Sequence, residues 1–171
     1  MLKNWQKIDN NSYNLIIDGI EVGQLKLNRS SNQSLAEIIL LGKTLKIYRT
    51  GFWKSNIEIS DKEDKVISKI YGEKWYGTSY IVEFYDRTLR LIVRNNPLAE
   101  WAIFEGEELI LAYGLDTTNG KVGLKVTQSE NNKINEENDY ILDFLLWYLF
   151  IPIATENSSD NLMLTLMLTS A

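Results

Sequence analysis

Near its carboxyl terminus the chain reads YILDFLLWYLFIPIA (residues 140–154), in which only Asp143 and Pro152 interrupt an otherwise apolar run. A helix at a protein surface has one apolar stripe, whereas this segment is apolar nearly all the way round, so it must be surrounded by protein or by lipid. A membrane-spanning helix needs about 20 apolar residues. The segment is shorter than that and contains an acidic residue, which favours a helix buried inside the protein.

The same segment has a suitable length to fill a β-barrel. As a helix it is about 22 Å long, and strands of about six to eight residues span about 20–27 Å. A barrel of about 12 strands is too wide to be filled by its own side chains, so it needs an internal element. We therefore predict a central helix over residues 139–154, which Pro152 should end or kink.

The chain before this helix is divided into short apolar segments by turn-forming residues. About 11 such segments follow one another from residue 13 onward, at intervals of about 8–12 residues. Asp18-Gly19 and Asn119-Gly120 illustrate the turns, because both positions of such a pair tolerate a positive φ angle. This pattern is typical of a β-sandwich or a β-barrel and differs from that of βαβ units.

These observations predict one fold. It is a mainly β protein, a closed antiparallel barrel of about 12 strands around a central apolar C-terminal helix. All 171 residues are expected to form a single domain, with a strand meander over residues 13–127. Residues 155–171 form a C-terminal segment whose apolar run, residues 162–168, is compatible with a strand or with a helix.

The composition excludes several classes of function. The chain has no histidine and no cysteine, so His- or Cys-dependent catalysis and zinc fingers are excluded, and we predict no metal site and no cofactor. Its net charge of −5 argues against nucleic acid as a partner. The first residues lack the apolar core of a signal peptide, so we expect a cytoplasmic protein, with peripheral membrane association as an open alternative. The oligomeric state is left open.

Several stretches resemble the hairpins of one group of proteins. Residues 48–55 read YRTGFWKS, residues 57–61 read IEISD and residues 66–70 read VISKI, with the apolar run of residues 140–154 near the end. Over residues 13–154 the chain resembles the tubby C-terminal-like superfamily, in particular its LURP-one-related and phospholipid-scramblase-like members. The resemblance implies a closed barrel of about 12 strands around a central helix, and a binding or membrane-associated role. No lipid-binding position of that superfamily is carried over to this chain.

Basic and aromatic residues interleave between residues 43 and 54, where a phosphate or a lipid headgroup is a candidate ligand. On an extended strand Lys46 and Arg49 point to opposite faces. The competing interpretation is a solvated strand surface, on which lysine discourages edge pairing. The candidate anion- or headgroup-binding residues are Lys43, Lys46, Arg49 and Lys54, and the candidate aromatic contacts are Trp53, Trp75 and Tyr76.

The sequence thus predicts a non-catalytic binding or interaction module, with anionic lipid or another protein as candidate partner. Two alternatives stay open. In one, the apolar segment lies elsewhere and the barrel binds a small apolar ligand; in the other, a hydrolase works with carboxylates alone, such as Glu105, Glu107 and Glu108. Asp143 is the most unusual single residue, because an aspartate that is buried within a helix must be hydrogen-bonded.

Overall fold

The computed structural model describes residues 2–28, 34–51, 55–73, 77–95, 98–118, 121–129 and 136–157. In this part of the chain twelve strands are followed by one helix. The elements are β1 (Lys3–Lys7), β2 (Ser12–Ile17), β3 (Ile20–Leu27), β4 (Ala36–Leu40), β5 (Lys43–Thr50), β6 (Asn56–Ser60), β7 (Val66–Gly72), β8 (Ser79–Phe84), β9 (Arg87–Arg94), β10 (Glu100–Glu105), β11 (Glu108–Thr118), β12 (Lys121–Gln128) and α1 (Glu136–Asn157).

Each strand pairs with the strand that follows it in the chain, and every pairing is antiparallel. The sheet order is therefore the chain order, with β1 and β12 as the first and last strands of a nearly closed barrel. The mainly β barrel with a C-terminal helix, predicted from the sequence, is confirmed. The meander extends beyond residues 13–127, because it includes β1 and ends at Gln128.

Successive turns alternate between the two ends of the barrel. The turns β2–β3, β4–β5, β6–β7, β8–β9 and β10–β11 share one end, which we call the hairpin end, and β12 runs toward it before α1 begins. Gly19 and Gly42 have φ angles of 84° and 79°, which suit the two-residue turns of tight hairpins. The described non-glycine residues with positive φ all lie in turns of the hairpin end: Asp18, Leu41, Asp64 and Tyr85.

Helix α1 occupies the interior of the barrel. All residues from Ile141 to Trp147 are buried, and seven consecutive residues cover about two helical turns, hence every side of the helix. Trp147 stacks on Trp5 of β1 with ring centroids 5.1 Å apart. Farther along, Phe150 meets Trp101 of β10 edge-on at 6.1 Å. Side chains from the wall therefore enclose the helix.

The helix is longer than residues 139–154, the range expected from the sequence. Of the two effects predicted for Pro152, termination is wrong, because α1 continues to Asn157. A proline inside a helix removes one backbone hydrogen bond. Beyond it, the hydroxyl of Thr155 donates to the carbonyl oxygens of Ile151 at 2.9 Å and Pro152 at 3.1 Å, which supports the last turn.

Gly23 in β3 lies where the ring of Phe144 on α1 approaches the backbone of the barrel wall closely. A Cβ atom at this position would be 2.5 Å from the carbonyl oxygen of Ile39 and 2.9 Å from Cζ of Phe144. Glycine is thus needed here for space, so that the ring of Phe144 can lie against the backbone of the sheet.

Candidate functional site

Strand β5 carries three of the predicted anion-binding residues but distributes them over different surfaces. Leu45 and Ile47 are buried inside the barrel, whereas Lys46 between them lies on the outer face and is half-buried. Lys43 lies at the hairpin end, and Arg49 lies about 20 Å away along the strand. The structure therefore does not bring these cations into one site. Four other candidates lie outside the described residues: Trp53, Lys54, Trp75 and Tyr76.

The surroundings of Lys46 and Arg49 are already occupied by protein groups. Lys46 stands directly opposite Glu37 in the β4–β5 ladder. Arg49 hydrogen-bonds the Tyr148 hydroxyl on α1; burial raises the pKa of Tyr148, and the positive charge of Arg49 opposes that rise. These two residues therefore belong to the barrel's own contacts, and Lys43 is the described candidate that lies beside a cavity.

A pocket of about 500 Å³ opens at the hairpin end, where the barrel wall is incomplete. The ladder between β4 and β5 begins at the pair Leu40–Lys43, whereas the ladder between β5 and β6 begins only at Lys46–Ser60. A gap is left between the first residues of β5 and the β6–β7 turn. We call this opening the wall pocket.

The wall pocket has an apolar floor. Leu45 of β5 and Ile67 of β7 line it from the barrel wall, and Ile141 of α1 lies at its base. These side chains are almost completely buried in the protein itself. The pocket therefore reaches from the surface to the central helix.

The rim of the wall pocket is charged. Three lysines and two carboxylates line it, although the whole chain has a net charge of −5. Asp61 is used by the fold, because its Oδ1 accepts hydrogen bonds from the backbone N–H groups of Glu63 at 2.9 Å and Lys65 at 3.0 Å. The charged lining residues are Lys43, Asp61, Lys62, Glu63 and Lys65.

Exposed apolar side chains are concentrated at the same end of the barrel. Of the seven large apolar residues that are exposed in the described ranges, five lie at the hairpin end. Ile8 and Val122 lie at the opposite end. We call the five residues the apolar tips: Leu2, Ile20, Leu41, Val66 and Tyr85. Leu2 belongs to this end because its N–H donates to the carboxylate of Asp18 at 2.6 Å.

A buried polar cluster connects β1, β11 and α1. Lys3 Nζ donates to Oδ2 of Asp143 at 2.5 Å, and the hydroxyl of Tyr113 donates to Oδ1 of the same carboxylate at 2.9 Å. Trp5 Nε1 in turn donates to the Tyr113 oxygen at 2.8 Å. Burial and the negative charge of Asp143 raise the pKa of Tyr113 well above its usual range, so the hydroxyl remains a donor. The expectation that a buried Asp143 is hydrogen-bonded is confirmed.

This cluster holds the helix in place and is closed to ligands. All four side chains are shielded from solvent. Sequence reasoning missed Lys3, Trp5 and Tyr113. The one available signal was Asp143, since a carboxylate in an apolar helix requires a cation or several donors elsewhere in the chain.

Of the carboxylates proposed for a hydrolase, Glu105 forms an ion pair with Arg87. Arg87 donates to both oxygens of Glu105, at 2.8 and 2.5 Å, and holds the pKa of that carboxyl below its usual range. The side chain of Glu107 is 98% exposed, with Arg90 at 3.9 Å. A general acid at neutral pH needs a raised pKa. Glu105 is therefore suited to an ion pair and not to proton donation.

Two further observations apply to the described ranges only. They contain no group of three or more acidic side chains that could hold a metal ion. Their one helix falls short of the length and apolar character needed to cross a membrane.

No protein-family model, curated protein or solved structure matches this chain. Membership of the tubby C-terminal-like superfamily therefore stays a prediction.

Proposed function

We propose that this protein is a non-catalytic binding module that associates with lipid surfaces through its hairpin end. The observation that carries the proposal is the concentration of the apolar tips at that end. Exposed apolar groups in one region mark an interaction site, whereas scattered ones need no explanation. Ile20 and Leu41 are 69% and 58% exposed, so most of each side chain is available for contact.

The arrangement of the tips favours a lipid surface over a protein partner. They project from separate turns and are interleaved with charged residues such as Lys62 and Glu63. A protein interface has a contiguous, closely packed apolar centre. A fluid lipid interface adapts to separate protrusions, and each methylene group that enters it contributes about 0.8 kcal/mol.

Charge is expected to play the smaller part in this association. The hairpin end carries the positive charges of Lys43, Lys62 and Lys65. The β6–β7 and β8–β9 turns of the same end also carry the carboxylates of Glu63 and Asp86, which reduce the net positive charge. We therefore expect binding to neutral vesicles as well as to anionic ones, with weak dependence on salt. A binding site that depended on a basic patch alone would lose affinity at high salt.

The alternative of a small apolar ligand in the lumen has less support, because α1 lies in the space that such a ligand would need. The carboxylate-only hydrolase is likewise disfavoured by the pairing of Glu105 with Arg87. A binding role at the outer surface is consistent with both observations.

Vesicle sedimentation with matched variants tests the proposal. The double variant Ile20→Thr/Val66→Thr removes two apolar tips, and Ile8→Thr/Val122→Thr makes the same chemical change at the opposite end. We use vesicles of phosphatidylcholine, alone and with about one-fifth phosphatidylserine. The hairpin-end variant should bind about tenfold more weakly, because each replacement removes about 0.8 kcal/mol or more of transfer energy.

The control variant should sediment with vesicles as the unmodified protein does. Absence of sedimentation with both lipid compositions contradicts the proposal. So does an equal loss of binding in the two double variants, since the contact would then not be specific to the hairpin end.

A further inference from the structure

We infer that the wall pocket binds the alkyl chain of a single-chain amphiphile with an anionic head, such as a fatty acid or a lysophospholipid. The inference deepens the proposed function and rests on it only for the source of the ligand. A lipid surface that contacts the hairpin end would present such molecules directly at the pocket.

The floor of the pocket fits an alkyl chain. Leu45, Ile67 and Ile141 present aliphatic groups, and the gap between β5 and the β6–β7 turn gives access to them from outside. The volume of about 500 Å³ lies within the range of about 300–1,000 Å³ that is usual for small-ligand pockets. A chain in this position transfers its own methylene groups from water to an aliphatic surface.

The rim fits an anionic head. Lys43, Lys62 and Lys65 bring three positive charges to the entrance, against Asp61 and Glu63. The Asp61 carboxylate is already engaged by two backbone N–H groups, so it counts less against an anion than a free carboxylate does. The wall pocket thus combines three ammonium groups at its rim with an apolar floor. This combination suits a ligand in which a carboxylate or phosphate is attached to a hydrocarbon chain.

Three of the five apolar tips lie at the same entrance. Leu41 precedes the lining residue Gly42, Val66 lies between Lys65 and Ile67, and Tyr85 itself lines the pocket. The residues proposed to touch the lipid surface are thus next to the residues proposed to hold the amphiphile. A molecule can pass from one environment to the other without crossing bulk water.

Titration calorimetry with monomeric dodecanoate, below the concentration at which it aggregates, tests the charged rim. The triple variant Lys43→Gln/Lys62→Gln/Lys65→Gln removes the three cations of the pocket. The control Lys7→Gln/Lys26→Gln/Lys125→Gln removes three exposed lysines that do not line it and changes the net charge equally. We expect the Kd to rise at least about tenfold in the pocket variant, since charge-assisted hydrogen bonds are lost, and to stay within about twofold in the control.

Three further ligands test the two parts of the proposed amphiphile. Butanoate keeps the head and shortens the tail, whereas dodecyltrimethylammonium keeps the tail and reverses the charge of the head; neither should bind measurably. An affinity equal to that of dodecanoate for either one overturns the inference. Comparison of dodecanoate with a lysophosphatidate of the same chain length assigns the source of the anionic head, and the tighter ligand identifies it.

The outcome for the pocket can be separated from the outcome for the lipid surface. The variant Leu2→Thr/Ile20→Thr changes two apolar tips that do not line the pocket, so it should weaken vesicle binding and keep dodecanoate binding in solution. If the unmodified protein sediments with vesicles but does not bind dodecanoate, or if both lysine variants bind it equally, only the pocket inference is wrong. If it binds dodecanoate in a lysine-dependent way but no vesicles, the proposed association with lipid surfaces is wrong and the pocket assignment stands.

Discussion

Two ion pairs in this barrel have the same separation and opposite surroundings. Lys3–Asp143 and Arg87–Glu105 both have an N–O distance of 2.5 Å. The first pair is completely buried, whereas the side chains of Arg87 and Glu105 remain 21% and 45% exposed. Exposed pairs contribute about 0–1 kcal/mol because water and salt screen them, but a buried charge that loses its partner costs about 3–5 kcal/mol.

The comparison shows what each region of the molecule is suited to do. The buried pair connects β1 to the first half of α1, and an alternative position of the helix would leave a charge unpaired in the core. Its main effect is therefore to specify one position of the helix, since a buried pair adds little stability over a well-packed apolar pair. The charges at the hairpin end stay in water, where they can exchange partners with a ligand.

The largest expected effect is that of Asp143→Asn. The substitution keeps the size of the side chain and leaves the Lys3 ammonium without its counter-charge. The free energy of unfolding should fall by about 3–5 kcal/mol, as measured by urea denaturation followed through tryptophan fluorescence. The double variant Lys3→Met/Asp143→Asn removes the unpaired ammonium and keeps an acceptor for the Tyr113 hydroxyl, so it should recover most of that loss. A loss below about 1 kcal/mol for Asp143→Asn would show that the buried pair behaves like the surface pair.

A smaller effect is expected from Gly23→Ala, which tests how tightly the barrel interior around α1 is packed. The new Cβ would meet the carbonyl oxygen of Ile39 at 2.5 Å and the ring of Phe144 at 2.9 Å, and such overpacking typically costs about 1–3 kcal/mol. Gly123→Ala in β12 is the matched control, because its Cβ would have no heavy atom within 4 Å. Equal melting temperatures for the two variants would mean that α1 can move away from β3.

The barrel and its central helix could be predicted from the sequence because both patterns are local. Alternating apolar residues between turn signals predict strands, and a helix that is apolar on all sides must lie inside the protein. Strand β1 was missed for a physical reason. Only Lys3 and Trp5 are buried in it, and a lysine at an inward position removes the alternation that predicts a strand. Its partner Asp143 is 140 residues away.

The wall pocket could be predicted only in part. Lys43 was selected because basic and aromatic residues alternate around it. Lys62 and Lys65 were not, because they lie in a polar turn that is typical of a solvated loop. What brings the three lysines together is the early end of β6 at Ser60. Strand register and length depend on pairing across the whole barrel, so a local sequence pattern cannot predict them.

The smallest expected effect concerns the surface pair and its dependence on pH. Arg87 lowers the pKa of Glu105 in the folded protein, with burial opposing that change. The stabilisation is therefore fully present above the ordinary glutamate pKa of about 4.3 and is lost as the pH falls through the lower pKa of the folded state.

At neutral pH, Glu105→Gln should cost less than about 1 kcal/mol, because the pair is partly exposed and screened. The difference from the unmodified protein should vanish at acidic pH. Glu107→Gln, at a carboxylate that is 98% exposed, is the control for the loss of one negative charge at this turn. A loss for Glu105→Gln that matched that of Asp143→Asn would show that exposure does not separate the two ion pairs.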